Sequence, residues 1–159
     1  MIVFPTPEQN LFLKAWVEQR LNAALGDCRC LGVMRDNRLV AVAAFNNYKE
    51  FPVGSKRIPC DIELSFASDN PRWATRQVVT WILSYPFVQL KTQRVTLLVK
   101  KSNRIARKLA IGLGFQHEGT HAHAANNLEA VMSYGLTRVD FMERYLSGLK
   151  TSTDTAASA

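Results

Sequence analysis

Asn103-Arg-Ile-Ala-Arg-Lys-Leu-Ala-Ile-Gly-Leu-Gly114-Phe115-Gln-His-Glu118-Gly119 is the most informative stretch of this sequence. Asparagine favours the helix N-cap, where its side-chain oxygen accepts from an amide two or three residues on. Ile105, Leu109 and Leu113 follow at helical spacing and form the expected buried stripe. Gly114 suits the left-handed position that ends a helix. Immediately upstream, Arg94–Lys100 alternates, with Val95, Leu97 and Val99 on one face, and reads as a strand leading into this helix.

Outward from that unit the pattern continues. A second helix is expected to start at Asn70-Pro71, with Asn as cap and Pro at the first position. Its stripe is Val78, Val79, Ile82 and Leu83, and Pro86 is expected to end it. Before it, Cys60, Ile62, Leu64 and Phe66 alternate with Asp61, Glu63 and Ser65, a strand with one apolar face. Residues 46–57 carry Pro52 and Gly54 and read as a polar loop. Residues 29–34 and 39–46 read as strands around an Asp36-Asn37 hairpin turn. Near the N-terminus, residues 1–4 suit a short strand. Thr6-Pro7-Glu8-Gln9 is a strong helix start, with Leu13, Val17, Leu21, Ala24 and Leu25 behind it and Gly26 as its end. Downstream, residues 116–124 and 128–136 read as two strands. Thr137 caps a last helix running to about Leu149. Helix crossovers on both sides of Arg94–Lys100 imply a mixed sheet of about seven strands flanked by helices, a single α/β domain.

Composition bounds the function. The chain has 159 residues, 47% hydrophobic and 21% charged, which suits one globular domain and argues against disorder. Its longest apolar run, residues 39–45, is far short of the roughly 20 residues of a bilayer crossing, so no membrane association is expected. The opening Met1-Ile-Val-Phe-Pro-Thr-Pro-Glu has no basic region before an apolar stretch, so no secretory signal is expected and the reading is cytoplasmic. Cys28, Cys30 and Cys60 are odd in number and give no disulfide framework; they read as reduced, packed thiols. The net charge is +7 and is concentrated. Between Asn70 and His117 lie Arg72, Arg76, Lys91, Arg94, Lys100, Lys101, Arg104, Arg107 and Lys108, with no acidic residue among them. Such a field attracts a phosphorylated ligand or another polyanion. No nucleic-acid module accompanies it, so nucleic acid is not the expected partner.

The Asn103–Gly119 stretch resembles the N-x-x-(S/A)-x-x-L-x-x-x-G-F-x-x-E-G signature of GNAT-family N-acetyltransferases. It is closest to the branch that acetylates ribosomal-protein N-termini. Asn70-Pro71-Arg-Trp73-Ala74-Thr75 is similar to that branch's opening of the cofactor helix. The likeness runs from about Leu31 to Leu136, and small proteins of this kind also occur in tailed phages, in which case the host cytoplasm is the location. The resemblance implies an acyl-CoA N-acyltransferase fold over residues 1–150, with residues 151–159 as a flexible C-terminal tail. It implies acetyl-CoA as cosubstrate, no metal, and an amine acceptor: a protein N-terminus, a lysine or a small amine. A monomer or homodimer is expected.

Carried over position by position, the resemblance implies a cofactor site at Phe66, Ala67, Ser68, Arg72, Trp73, Ala74, Thr75, Arg76, Asn103 and Arg107. A helix N-terminus independently suits a phosphate. Glu63 resembles the general base of histone-modifying members; as a residue it is equally the polar face of an alternating strand. Three departures stand out. The phosphate segment, residues 69–74, has no glycine; Ala110 stands where many members carry a tyrosine acid; Ala106 stands where the ribosomal branch often has serine. Tyr134, Cys60 and Ser102 are the remaining candidates for the acid, with Tyr134 first. His117, His121 and His123 share one expected strand, His121 and His123 on one face, as metal ligands, site residues or surface groups. Trp16, Trp73 and Trp81 read as core or cleft wall. Residues 24–29, 46–59 and 124–128 are the expected acceptor loops. The departures keep an alternative open: a catalytically degenerate GNAT-fold protein that binds rather than catalyses, or is virion-associated.

Overall fold

A computed structural model describes residues 1–148. Seven strands form one sheet in the order β1-β2-β3-β4-β5-β7-β6. They are β1 (Ile2–Val3), β2 (Cys28–Arg35), β3 (Arg38–Val53), β4 (Lys56–Ser68), β5 (Arg94–Lys100), β6 (Gln116–His121) and β7 (Val131–Thr137). Three helices connect them, α1 (Pro7–Leu21), α2 (Arg76–Ser84) and α3 (Arg104–Gly112), and α4 (Arg138–Phe141) follows β7, with π-helical turns at Tyr85–Gln89 and Met142–Leu146. Only β4 and β5 pair in parallel. The mixed α/β sheet is therefore as the sequence implies.

Each face of the sheet has its own core. One layer joins Phe45, Leu64, Leu97, Phe115 and Leu136 to Val79 and Ile82 of α2 and Phe141 of α4. On the opposite face, Leu13 and Val17 of α1 pack on Cys30, Val42 and Ala44. The turn chemistry follows the sequence. Thr6 and Gln9 form a reciprocal capping box. Asp36 and Asn37 take φ of 50° and 57°, as a two-residue hairpin demands. Gly114, at φ +97°, ends α3 in a Schellman motif: its amide donates to Ile111 O, and that of Phe115 to Ala110 O.

Several boundaries differ from the sequence reading, each for a local reason. Helix α1 ends at Leu21, because Asn22 adopts a left-handed cap (φ 49°), so Ala24 and Leu25 lie outside it. Residues 46–57 are not a loop but the arm of the β3–β4 hairpin, kinked at Asn47 and turned at Gly54. Its alternating Tyr48, Phe51, Val53 and Ile58 favour strand, and Glu50 pairs across it with Arg57 at 2.5 Å. Helix α2 starts at Arg76 rather than after Asn70. The Asn70 side chain accepts from the Arg72 amide within a turn, and Thr75 caps the helix by accepting from Val78 N at 3.3 Å. Trp73, buried against Phe66 with ring centroids 5.7 Å apart, anchors the intervening segment. Pro86 does not end the helical path; a π-turn absorbs its missing donor. In α3 the inward stripe is Ala106, Leu109, Ala110 and Leu113, whereas Ile105 is 85% exposed. Strand β6 ends at His121, so His123, at φ 59°, is not its strand neighbour. Leu149 and the tail at 151–159 lie outside the described residues.

Candidate functional site

The parallel β4–β5 ladder has three rungs, Asp61↔Arg94, Ile62↔Val95 and Glu63↔Thr96, and then stops. Residues 64–68 and 97–100 run on without pairing to each other. Between them opens a cleft of about 250 Å³ lined by Leu64, Ser65, Phe66, Leu97, Val99 and Lys100. Asn103 and Ala106 of α3 reach it from one layer, Arg20 and Leu25 from the other. Backbone groups on facing strand edges that do not meet are open to an inserted extended ligand.

Asn103 serves two purposes at once. Its Oδ1 accepts from the Ala106 amide at 3.1 Å, capping α3, and the residue lines the cleft. Its side-chain nitrogen makes no hydrogen bond among the described residues. Glu63 occupies the last rung, half-buried, one residue before the lining begins. Asn47 Nδ2 donates to its Oε2 at 2.9 Å. Two residues before Glu63, Asp61 belongs to a paired cluster. Thr96 Oγ1 donates to Asp61 at 2.9 Å, and Arg94 reaches Glu118 at 2.5 Å and Asp61 at 3.6 Å. That guanidinium holds the Glu118 carboxyl below its usual range. The pair crosses Gly135 so closely that a Cβ there would lie 1.7 Å from Glu118 Oε1.

The segment after β4 satisfies half of its own backbone amides. The Asp69 amide donates to Val40 O, that of Arg72 to the Asn70 side chain, that of Trp73 to Asn70 O and that of Thr75 to Trp73 O. With Val78 capped and Val79 bonded to Thr75 O, the amides of Arg76 and Gln77 are left unpaired among the described residues at the start of α2. Arg72 is exposed and its guanidinium makes no ion pair among the described residues. Asp69 is the acidic member of this segment. Arg20 grips it with Nε at 2.8 Å and Nη2 at 2.6 Å, joining the end of α1 to the loop after β4, and so lowers its pKa.

Of the sequence-derived residues, Phe66 and Asn103 line the cleft, and Ala67 and Ser68 continue its β4 edge. Trp73 backs Phe66 from the core, and Ala74 and Thr75 lead into the α2 cap. Three others are directed elsewhere. Arg76 donates to Arg144 O and lies over the Tyr145 ring, because the first residue of α2 faces the end of the chain's last helix. Arg107 is one position past Ala106 and thus on a different helix face; its Nη1 donates to Lys101 O at 2.8 Å, and it lines a cavity with Arg104, Lys108 and Tyr134. Tyr134 is only 2% exposed, under α3, with His117 against its ring, and is not among the residues lining the cleft. Cys60 Sγ donates to Ile58 O, and the Ser102 amide to Glu129. No His, Cys, Asp and Glu grouping fit for a metal occurs among the described residues. Sequence reading missed Arg20, Leu21 and Ala23 as lining, and it named Lys100 only as part of the basic stretch and residues 24–29 only as an acceptor loop. Arg20 sits at the end of a helix whose partners lie 49 residues away, which no local pattern signals.

No family model and no curated protein matches the chain. Solved structures do match it in shape. Ribosomal-protein-S5-alanine acetyltransferase from Vibrio fischeri superposes with a TM-score of 0.60 at 18% identity, over 86% of this chain and 74% of that one. A spermidine N-acetyltransferase SpeG chimera from Vibrio cholerae gives 0.64 at 14%, over 91% and 98%. RimL, a ribosomal alpha-N-protein acetyltransferase in complex with coenzyme A, gives 0.57 at 16%, over 82% and 68%. The splayed parallel pair, the strand order and these superpositions together give the chain the GNAT acetyltransferase fold.

Proposed function

We propose that the chain is an N-acetyltransferase that moves an acetyl group from acetyl-CoA to a primary amine. One observation carries the reading: the sheet opens between two parallel strands directly after Glu63↔Thr96, and the resulting cleft is walled by Asn103. When bound, acetyl-CoA supplies a thioester; the amine nitrogen bonds to its acyl carbon as the C–S bond breaks, and the sulfur leaves as a thiol after gaining a proton. The edges of residues 64–68 and 97–100 suit the amide-bearing arm of that cosubstrate. The phosphates fall to the free amides of Arg76 and Gln77 and to Arg72, a smaller set than a glycine-rich loop would offer. Glu63 takes the proton of the incoming ammonium through water, since its carboxylate stands at the end of the cleft rather than in its lining.

A second reading has its own support. Three of the six amides in residues 69–75 are consumed within the segment and a fourth by Val40 O, Asp69 places a carboxylate beside it, and Ala110 brings no acid to the leaving sulfur. These features suit a degenerate relative that binds without turnover. Calorimetric titration with acetyl-CoA and with CoA separates the readings from the fold alone. Saturable binding by both, with CoA released on addition of an amine, supports the enzyme. Binding without release supports the degenerate form, and no binding at millimolar ligand rejects the acetyltransferase reading.

A further inference from the structure

A second cavity, of about 710 Å³, adjoins the cleft and shares Ala23, Leu98 and Lys100 with it. It lies between the chain after α1, the exposed side of β5 and the β6–β7 connection. That volume is in the range that encloses most of a drug-sized ligand, much more than a single small amine fills. Its floor is apolar: Ala23, Ala24, Leu98 and Val131. Leu98 is 51% exposed, an apolar side chain left open beside the cleft. The polar groups are Lys100 and His121, with Asn22 and Asn126. Lys100 Nζ donates to Asn126 Oδ1 at 3.2 Å, which holds the ammonium at the wall, and His121 Nε2 lies 3.1 Å from Ser133 Oγ. Among the described residues, no carboxylate lines the cavity. Glu129, which is electrostatically coupled to Lys100, is turned to the Ser102 amide and to Asn127.

That lining has a chemical consequence. A polyamine carries cations along its whole length and binds where carboxylates receive them. Here its second cation meets Lys100 and no carboxylate among the described lining residues. We infer that this cavity receives the acceptor, and that Lys100 selects a peptide N-terminus followed closely by an acidic side chain. The inference rests on the acetyltransferase reading and deepens it. The N-terminal amine points toward the cleft, an acidic side chain at the second or third position meets Lys100, and the small apolar floor accepts the first side chain.

The test is acetylation of three peptides that share an N-terminal alanine and carry acidic, neutral or basic residues at positions two and three, with spermidine and free aspartate as further acceptors. The full chain is used with saturating acetyl-CoA. Reversing the peptide charge opposite one part-exposed lysine changes kcat/KM about tenfold. The acidic peptide is therefore expected to exceed the basic one by that factor, with spermidine and free aspartate both slower. Lys100→Glu should reverse the peptide order, and Lys100→Gln should abolish it, with the affinity for acetyl-CoA followed in parallel because Lys100 also borders the cleft. Equal rates for acidic and basic peptides, a preference that survives Lys100→Gln, or spermidine or free aspartate as the best acceptor would each overturn the inference. If acetyl-CoA binds but no acceptor is modified, the catalytic reading has failed. The charge preference is then decided by anisotropy of the labelled peptides, acidic above basic being the supporting result and equality the refuting one.

Discussion

Asn103 offers the sharpest perturbation, because its two jobs respond oppositely to one substitution. Its Oδ1 accepts from the Ala106 amide, and the residue also borders the cleft. Asn103→Ala removes the cap and costs about 1 kcal/mol. For a chain of this size that lowers the melting temperature by roughly 2–4 °C. Asn103→Asp keeps an accepting oxygen and places a negative charge at the positive end of α3, worth about 0.3–1 kcal/mol in favour of the fold. The melting temperature should hold or rise slightly. The same charge would confront a multiply anionic ligand. At roughly 10 Å and an effective dielectric near 20, one pair of like charges costs about 1–2 kcal/mol, a five- to thirtyfold loss of affinity. Thermal melts and calorimetry with acetyl-CoA on the three proteins decide it. The expected pattern is Ala low in stability and Asp high in stability but weak in binding. An Asp variant that binds acetyl-CoA as tightly as the parent would show that Asn103 is only a cap, and the assignment of the cleft would fail at its most specific residue.

Four further outcomes are expected. Glu63→Gln should leave CoA affinity unchanged in calorimetry and lower turnover by about 10²–10⁴-fold, a loss that shrinks at high pH where the amine is already neutral. Asp69→Asn should tighten CoA binding, since it removes an anion beside the phosphate segment and frees Arg20. Because Arg20 holds the Asp69 carboxyl below its ordinary range, the gain should persist from neutral pH down into that range and fade only in stronger acid, where the parent residue also loses its charge. Ala110 is fully buried, so Ala110→Tyr should destabilise the fold by at least about 1–3 kcal/mol in denaturant titration instead of supplying the missing acid. Burial pushes the Cys30 thiol up to about 12, so iodoacetamide at pH 8 should label Cys60 well before Cys30 by mass spectrometry.

What was legible in the sequence is what short-range chemistry dictates. The Asn103 cap, the Gly114 stop and the Arg94–Lys100 strand are each set by residues within a few positions, and each lies where the pattern puts it. The cofactor site came from the resemblance, carried over position by position, and not from any local pattern. Errors arose where two local signals competed or where a distant partner decided. Asn70-Pro71 and Thr75 are both plausible helix starts; burial of Trp73 against Phe66 selects the second. Pro52 and Gly54 suggested a loop, but Gly54 is only the tip of a hairpin whose cross-strand pairs hold it extended. Arg76 and Arg107, which the resemblance implies for the ligand, donate to Arg144 O and to Lys101 O, partners that no local pattern signals. Charge alone specifies no direction.

The arrangement also constrains how transfer would run. A covalent route needs a nucleophile in the cleft and a base in contact with it. Ser65 is the hydroxyl in the lining, and it makes no side-chain hydrogen bond to a base among the described residues. Cys30 is buried in the α1 layer, and Cys60 lies three residues before the last rung. Meanwhile the opening between β4 and β5 is bordered by α3 residues from one layer and by α1 and the chain after it from the other. The second cavity meets the cleft on the α1 side. A donor entering between the strands and an acceptor arriving through that cavity can meet directly, with neither displacing the other. Direct attack in a ternary complex would then ask only for positioning and for a proton acceptor, the roles proposed above for Asn103 and Glu63.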